Sequence, residues 1–382
     1  MTFEPINDPV LPGTVGKVFQ GFLGAFLFWL LASLGVSLGE GEAASEPKAW
    51  EPMSRIEAAA KQEKKLVVYS APGHATPEAQ EAIGQLFEKK YGINIEWVAS
   101  RGSEMAPRIL TEQRTQQPVA DIAMSGIAGV YVQLKPKGYL APILAPSAME
   151  KGVWRLDPAA AMPKERDWLY IFMSLTPGFF INTKLVPPGD EPKSYQDLLL
   201  PKWKGKVVLQ NPPLGGTGSG WFRATYKKLG LDYMRALVKQ VALVANTNDV
   251  PDAVARGQYG VGISASVARG RELVQQGAPA RYRHPKEGSH LAAQGVMLVA
   301  NPSHPNAAKL FLQWFFTKEG QSVYAPKQNG ISVRKDIPQD YLPPDERYTD
   351  GDPFLMGGTE DFGVERNEEL SALMRQIFQE GK

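Results

Sequence analysis

Residues 65–100 read KLVVYSAPGHATPEAQEAIGQLFEKKYGINIEWVAS. Lys65 to Ala71 is a brief apolar run, β-branched at its centre and stopped by Pro72-Gly73, the pattern of a buried strand. From Glu78 to Tyr91 the apolar residues Ile83, Leu86 and Phe87 recur at helical spacing, and Gly92 supplies the stop. Asn94 to Ser100 is again strand-like. Arg101-Gly102 then turns the chain, Ser103 stands where it would cap a helix running to Gln113, and Ala120 to Met124 makes a third strand ending at Ser125-Gly126. Strands alternating with helices at these intervals predict a mostly parallel sheet of the α/β class. Upstream, Ser54 and Glu57 have the spacing of a capping box for a short helix.

Downstream the alternation resumes. Trp168 to Met173 and Phe179 to Asn182 read as strands leading into a second unit, and Gly205 to Leu209 as a strand followed by Asn211-Pro212-Pro213. Gly215 to Gly220 (GGTGSG) precedes a helix predicted from Trp221 to Leu229. Ala242 to Ala245 and Val261 to Ser264 are further strands. Gln294 to Ala300 and the apolar helix Asn306 to Phe316 return to the first unit, and a polar tail from Tyr341 ends in a helix over Glu368 to Gln379.

Composition narrows the function. The 382 residues are 43% hydrophobic and 21% charged, with 37 Gly and 31 Pro in no repeating period, so the chain is globular and neither collagen-like nor repetitive. It has no cysteine, which excludes disulfides, thiol catalysis and a lipid-modified cysteine anchor. The apolar run at residues 18–37, followed by the small residues Gly41 to Ser45, reads as a secretory signal, or alternatively as an uncleaved anchor. Residues 1–45 carry Glu4, Asp8, Glu40 and Glu42 against Lys17, so their removal raises the net charge from +2 to +5. The basic residues are scattered, which argues against nucleic acid, and the mild positive balance suits an anionic solute.

Ligands in open α/β sheets bind at the carboxyl ends of strands. That rule nominates Ser70, His74, Arg101, Ser103 and Ser125 from the first unit, and Gly216, Thr217, Gly218, Ser264 and Ser266 from the second, while Glu287, beside Gly288, reads either as a site acid or as an exposed turn. The glycine-rich junction has two readings: a plain loop, or an anion site made of helix-start amides with glycines admitting a ligand to the backbone. It lacks the Gly-Lys-Ser/Thr of a phosphate-binding P-loop and the glycine flanks of a nucleophile elbow. No catalytic triad, HExxH or paired acid and base stands out.

From Lys65 to Arg334 the chain resembles the extracellular solute-binding proteins of the ferric-ion-binding type. The resemblance rests on collinear segments: KLVVYSA with His74, TEQ at Thr111–Gln113 with Ala120-Asp121, INTKLVPP at Ile181–Pro188 and DLLLPKWKGKVVL at Asp197–Leu209. VARGQYGVGIS at Val254–Ser264, HPNAAKLFLQWFFTKEGQ at His304–Gln321 and SVR at Ser332–Arg334 complete it. It implies a two-lobed type II periplasmic binding protein with a hinge and interlobe cleft. The expected division is 46–165 for lobe 1, 166–290 for lobe 2, 291–340 for the return to lobe 1 and 341–382 for the tail. The implied role is a monomeric, non-enzymatic periplasmic component that hands a small polar, anionic solute or a chelated metal to an ABC importer permease in the inner membrane, with no cofactor. Ferric-ion members hold iron with a histidine, a glutamate and two adjacent tyrosines, plus an anion at a helix start. His74 matches the histidine, but Gly126 stands at the glutamate position and Val267-Ala268 at the tyrosine pair. Hard ferric iron needs anionic oxygen donors, which these residues lack. The rival readings are a membrane-tethered sensor, a ferric-ion binder with atypical ligands and a secreted hydrolase.

Overall fold

The computed structural model describes residues 49–380 except 72, 157–162, 177, 345–346, 350–352 and 358–363. The leader and its apolar run lie outside these. In chain order the described elements begin with α1 (Met53–Glu63), β1 (Lys65–Ser70), α2 (Pro77–Tyr91), β2 (Asn94–Ala99), α3 (Gly102–Arg114), β3 (Ile122–Ser125) and β4 (Leu140–Ala141). There follow β5 (Leu169–Thr176), β6 (Phe179–Asn182), β7 (Val207–Gln210), α4 (Gly216–Val238), β8 (Val241–Val244), α5 (Asp249–Ala255), β9 (Val261–Ile263), α6 (Val267–Gln275) and β10 (Ala280–Arg283). The chain closes with β11 (Ser289–Val299), α7 (Pro305–Phe315), α8 (Lys318–Gln328), β12 (Ile331–Ser332), β13 (Phe354–Leu355) and α9 (Val364–Glu380).

These strands form two sheets. The larger has the order β12-β5-β11-β3-β1-β2, with β4 and β13 also pairing with β11. Its β1–β2 and β1–β3 pairs are parallel, as the alternation predicts. The smaller runs β10-β6-β9-β7-β8, with β7 parallel to both neighbours. Each sheet has its own core. In the first, Val67, Val68, Ile122 and Val296 meet Phe87, Phe311 and Trp314 from α2 and α7. In the second, Val207, Leu209, Val261 and Ile263 pack with Trp221 and Phe222 of α4.

Among the described elements the chain passes between the sheets three times. It leaves the larger sheet after Thr176 and returns at Ser289. The tail makes the third passage, because α9 places Leu370, Met374, Ile377 and Phe378 in the core of the smaller sheet, with the Phe378 ring 6.0 Å from that of Phe222. Burying four such side chains contributes about 2 kcal/mol each, so α9 is part of that lobe. Arg223 adds hydrogen bonds to Asn367 (3.2 Å) and Ser371 (2.9 Å).

Two expected caps are absent. Pro52 occupies the cap position of α1, its carbonyl accepting from the amides of Arg55 and Ile56, so Ser54 lies inside the helix. Arg101 is the cap residue of α3 and makes no side-chain capping bond, so Ser103 is a helical residue. In both cases the backbone turns into the helix one or two residues ahead of the hydroxyl, which puts that hydroxyl out of reach of the orphan amides. Thr76, by contrast, caps α2 by accepting from the amide of Ala79 at 3.2 Å.

Candidate functional site

The lobe built on the larger sheet contributes the ends of β1 and β3, which lie side by side. Ser70 is buried at the end of β1, and the amide of Ala71 donates to the carbonyl of Met124 at 2.9 Å. The following turn is held from α8: Tyr324 Oη donates to the His74 carbonyl, and Gln328 Nε2 to that of Gly73 at 2.6 Å. His74 is thereby fixed and buried beside the strand end. Arg101 and Ser103 are exposed at the start of α3. Ser125 is buried. A β-carbon on Gly102 would come within 3.4 Å of Ser125 Oγ and 3.5 Å of the Gly129 α-carbon, so two glycines let α3 and the next turn close over this hydroxyl.

The second lobe contributes three loops. After β7, Gly215 adopts φ +86°, a conformation open to glycine, and delivers the chain into α4 at Gly216. The helix thus begins five residues before Trp221, where sequence pattern starts it. Two glycines of its opening turns, Gly218 and Gly220, are demanded by close packing, whereas Gly230 at φ +80° marks a kink farther along. A β-carbon on Gly218 would lie 2.5 Å from the Gln210 carbonyl oxygen, and one on Gly220 would lie 3.1 Å from His290 Cε1.

Buried Gln210 straps this turn. Its Oε1 accepts from the Gly218 amide at 2.5 Å and its Nε2 donates to the Gly215 carbonyl at 2.9 Å. The Gly218 amide is therefore committed within the protein, while the first-turn amides of Gly216 and Thr217 are those a helix leaves without intrahelical partners.

Thr217 ties the loops together. Its hydroxyl lies 2.9 Å from that of Thr247, at the loop after β8, and donates to the Ser264 carbonyl at 3.2 Å. Ser264 follows β9 with φ +58°, is 2% exposed, and its hydroxyl is buried without a hydrogen-bond partner. A side chain held in the left-handed region costs about 1–2 kcal/mol, and a buried unsatisfied hydroxyl a further 1–3 kcal/mol. Both costs fall on one residue next to the start of α4. Ser266 caps α6, accepting from the Arg269 amide at 3.4 Å. Glu287 is engaged away from this cluster, accepting from the Tyr195 amide at 3.0 Å.

β11 relates the two groups of loops. It runs antiparallel to β3 with Gly295 opposite Ser125, continues beyond the end of β3, and reaches His290, which rests on Gly220 of α4. The five steps from Gly295 to His290 span about 17 Å. The strand ends of the larger sheet and the first turn of α4 thus border one region along a single strand.

His290, Thr247 and Gln210 were not nominated from sequence. Thr247 sits in the loop after β8 and was within reach of the strand-end rule. His290 gave no signal, since its place depends on how far β11 runs. It is 5% exposed, and burial pushes its imidazole down to about 4, so it is neutral near pH 7. The ferric-ligand positions hold Gly126 and Val267-Ala268. Among the described residues, no group of three or more His, Cys, Asp or Glu side chains is placed to hold a metal ion. The same residues include no helix long and apolar enough to cross a membrane.

Two α/β lobes with polar strand-end loops along a shared strand define a two-lobed binding protein of the periplasmic type II class. Residues 72–322 match the family model of bacterial extracellular solute-binding proteins, and the chain belongs to that family. A Haemophilus influenzae protein described only as uncharacterized is 25% identical over 277 residues, covering 70% of this chain and 78% of its own. Iron-bound HitA from Pseudomonas aeruginosa superposes with a TM-score of 0.65 at 20% identity, covering 82% of this chain and 99% of that one. The periplasmic binding protein AfuA from Actinobacillus pleuropneumoniae, with fructose-6-phosphate bound, gives 0.61 at 20% identity, covering 82% and 98%. Proteins of this family are solute-binding components of bacterial importers, act outside the cytoplasm and are generally not enzymes.

Proposed function

We propose that this chain captures a small anionic organic solute between its lobes in the periplasm and delivers it to an ABC permease of the inner membrane. The observation that carries this reading is the Thr217–Thr247–Ser264 cluster at the start of α4. It pairs a buried, unpartnered hydroxyl with first-turn amides at the positive end of a helix dipole. Hydroxyls and amides suit phosphoryl, phosphonyl or carboxyl oxygens, and Arg101 from the other lobe adds a charge-assisted donor. A ligand that touches both lobes binds the closed state better than the open one, and that difference drives closure. His74, Ser70 and Ser125 line the opposing strand ends. The absence of side-chain oxygen donors at positions 126 and 267–268 supports an organic anion or a chelated metal over a bare ferric ion.

A thermal-shift screen over phosphonates, sugar phosphates, carboxylates and ferric chelates tests it, since ligands selective for the native state raise its melting temperature. An anion from the panel is expected to raise Tm, with the rise reduced in Thr217→Val. A response to free ferric salt alone, or none to any anion, defeats the proposal.

A further inference from the structure

The tail reaches the smaller lobe by way of the strand that the lobes share. β13 pairs in parallel with the start of β11, Phe354 lying opposite Ser289 and Leu355 opposite His290. Successive side chains of a strand point to opposite faces, and here the two faces meet different lobes. Phe354 and Met356 adjoin the cluster of Met173, Leu291, Ile331, Leu342 and Tyr348 on the larger sheet, and the Phe354 ring lies 5.7 Å from that of Tyr348. Leu355, 3% exposed, belongs to the core of the smaller lobe with Trp221 and Phe222.

Both ends of this short strand are tied down. Ahead of it, Leu342 and Tyr348 lie in the cluster on the larger sheet, and Tyr341 Oη donates to the Gly330 carbonyl at 2.9 Å. Beyond it, α9 fills the core of the smaller lobe. The strand also rests on the turn that opens β11. Gly288 holds φ +110°, and a β-carbon there would come within 2.5 Å of the Pro353 carbonyl and 2.6 Å of the Phe354 amide nitrogen. Glycine is therefore required twice at this position, by its dihedral and by the backbone lying on it.

The chain crosses between the lobes at residues 176–179 and again at 283–289. Two crossings alone permit bending about the line that joins them. A third strand with one face in each lobe opposes it, because separating the lobes pulls Phe354 from one cluster or Leu355 from the other core and exposes apolar surface to water. We propose that Phe354, Leu355 and Met356 form a strap that limits how far the two lobes open in the unliganded protein. A narrower range of openings keeps more molecules near the arrangement that binds, and apparent affinity rises with that fraction. The restraint acts whichever solute the protein carries.

The chain has no cysteine, so Glu104→Cys in α3 and Lys228→Cys in α4, both at exposed positions, place one spin label on each lobe. Double electron–electron resonance on the full chain without ligand then reads the distribution of distances between the labels. Phe354→Ala and Gly288→Ala are each expected to broaden that distribution. Phe354 is half-buried, and Gly288 belongs to neither core, so both variants are expected to keep the near-ultraviolet circular dichroism of the parent. Ile377→Ala truncates α9 inside the core of the smaller lobe and is expected to lower Tm while leaving the distribution as it was. An unchanged distribution in Phe354→Ala or Gly288→Ala overturns the proposal. So does an equal broadening in Ile377→Ala, which would show that loosening the lobe, rather than cutting the strap, moves the labels.

Discussion

Replacing Ser264 by alanine separates a ligand-facing hydroxyl from a structural one, because the two readings give opposite signs. In the unliganded protein the hydroxyl is buried without a partner, so its removal relieves a desolvation cost of about 1–3 kcal/mol. The positive φ of +58° strains alanine as it does serine, so that strain cancels in the comparison. Unliganded Ser264→Ala is therefore expected to be more stable, by about 2 °C in Tm for each kcal/mol. Ligand affinity is expected to move the other way. A hydrogen bond to an anionic group contributes about 1.5–3 kcal/mol, and its loss raises Kd by roughly 10- to 150-fold. Differential scanning calorimetry on the unliganded protein and isothermal titration with the anion that emerges from the screen read the two effects. A variant less stable than the parent, with affinity intact, would show that the hydroxyl serves the fold and would refute the reasoning.

Gly218→Ala forces a β-carbon against the Gln210 carbonyl and is expected to cost about 1–3 kcal/mol in denaturant melts. Gly220→Ala approaches a side-chain atom of His290 at 3.1 Å rather than a backbone carbonyl at 2.5 Å and gains helix propensity of about 1 kcal/mol, so it is expected to cost clearly less; equal losses would contradict the packing described. His290 has its pKa lowered by burial to about 4, whereas the unfolded chain takes up that proton near 6.5. Its contribution to stability is therefore complete above pH 6.5 and is lost as pH falls toward 4, by about 3 kcal/mol. His290→Gln should flatten the fall in Tm between pH 7 and 4, and an unchanged slope would show that other groups cause it. Truncation before Val364 removes the four core side chains of α9, roughly 8 kcal/mol of burial; near-ultraviolet circular dichroism should lose the aromatic signal of the smaller lobe, and a native spectrum would show α9 to be dispensable.

The parallel units of the larger sheet were readable because strand runs such as KLVVYS alternate with a periodic helix and end in Gly or Pro. The start of α4 was not. Glycine has poor helix propensity, so a pattern rule opens the helix at Trp221, whereas Gln210 anchors the opening turn from outside through Gly215 and Gly218. The same limit applies to the tail, whose amphipathic helix announces that it has a partner without saying which lobe supplies it. Among the site candidates, strand-end position nominates Ser264 and Thr217, which the structure joins through one hydrogen bond. Glu287 met no such rule, and its carboxylate serves the Tyr195 turn. His290 depends on the length of β11, which apolar pattern understates because Ser289 and His290 are polar.

The third passage of the chain bears on when the molecule can fold. Residues 179–283 build the smaller sheet and α4, whose remaining face is filled by Leu370, Met374, Ile377 and Phe378. A chain emerging amino end first exposes that unfinished face until its final helix arrives, a state in which folding waits on the carboxyl terminus. Completion of that lobe therefore rests on the last helix of the chain rather than on the sheet which that helix covers.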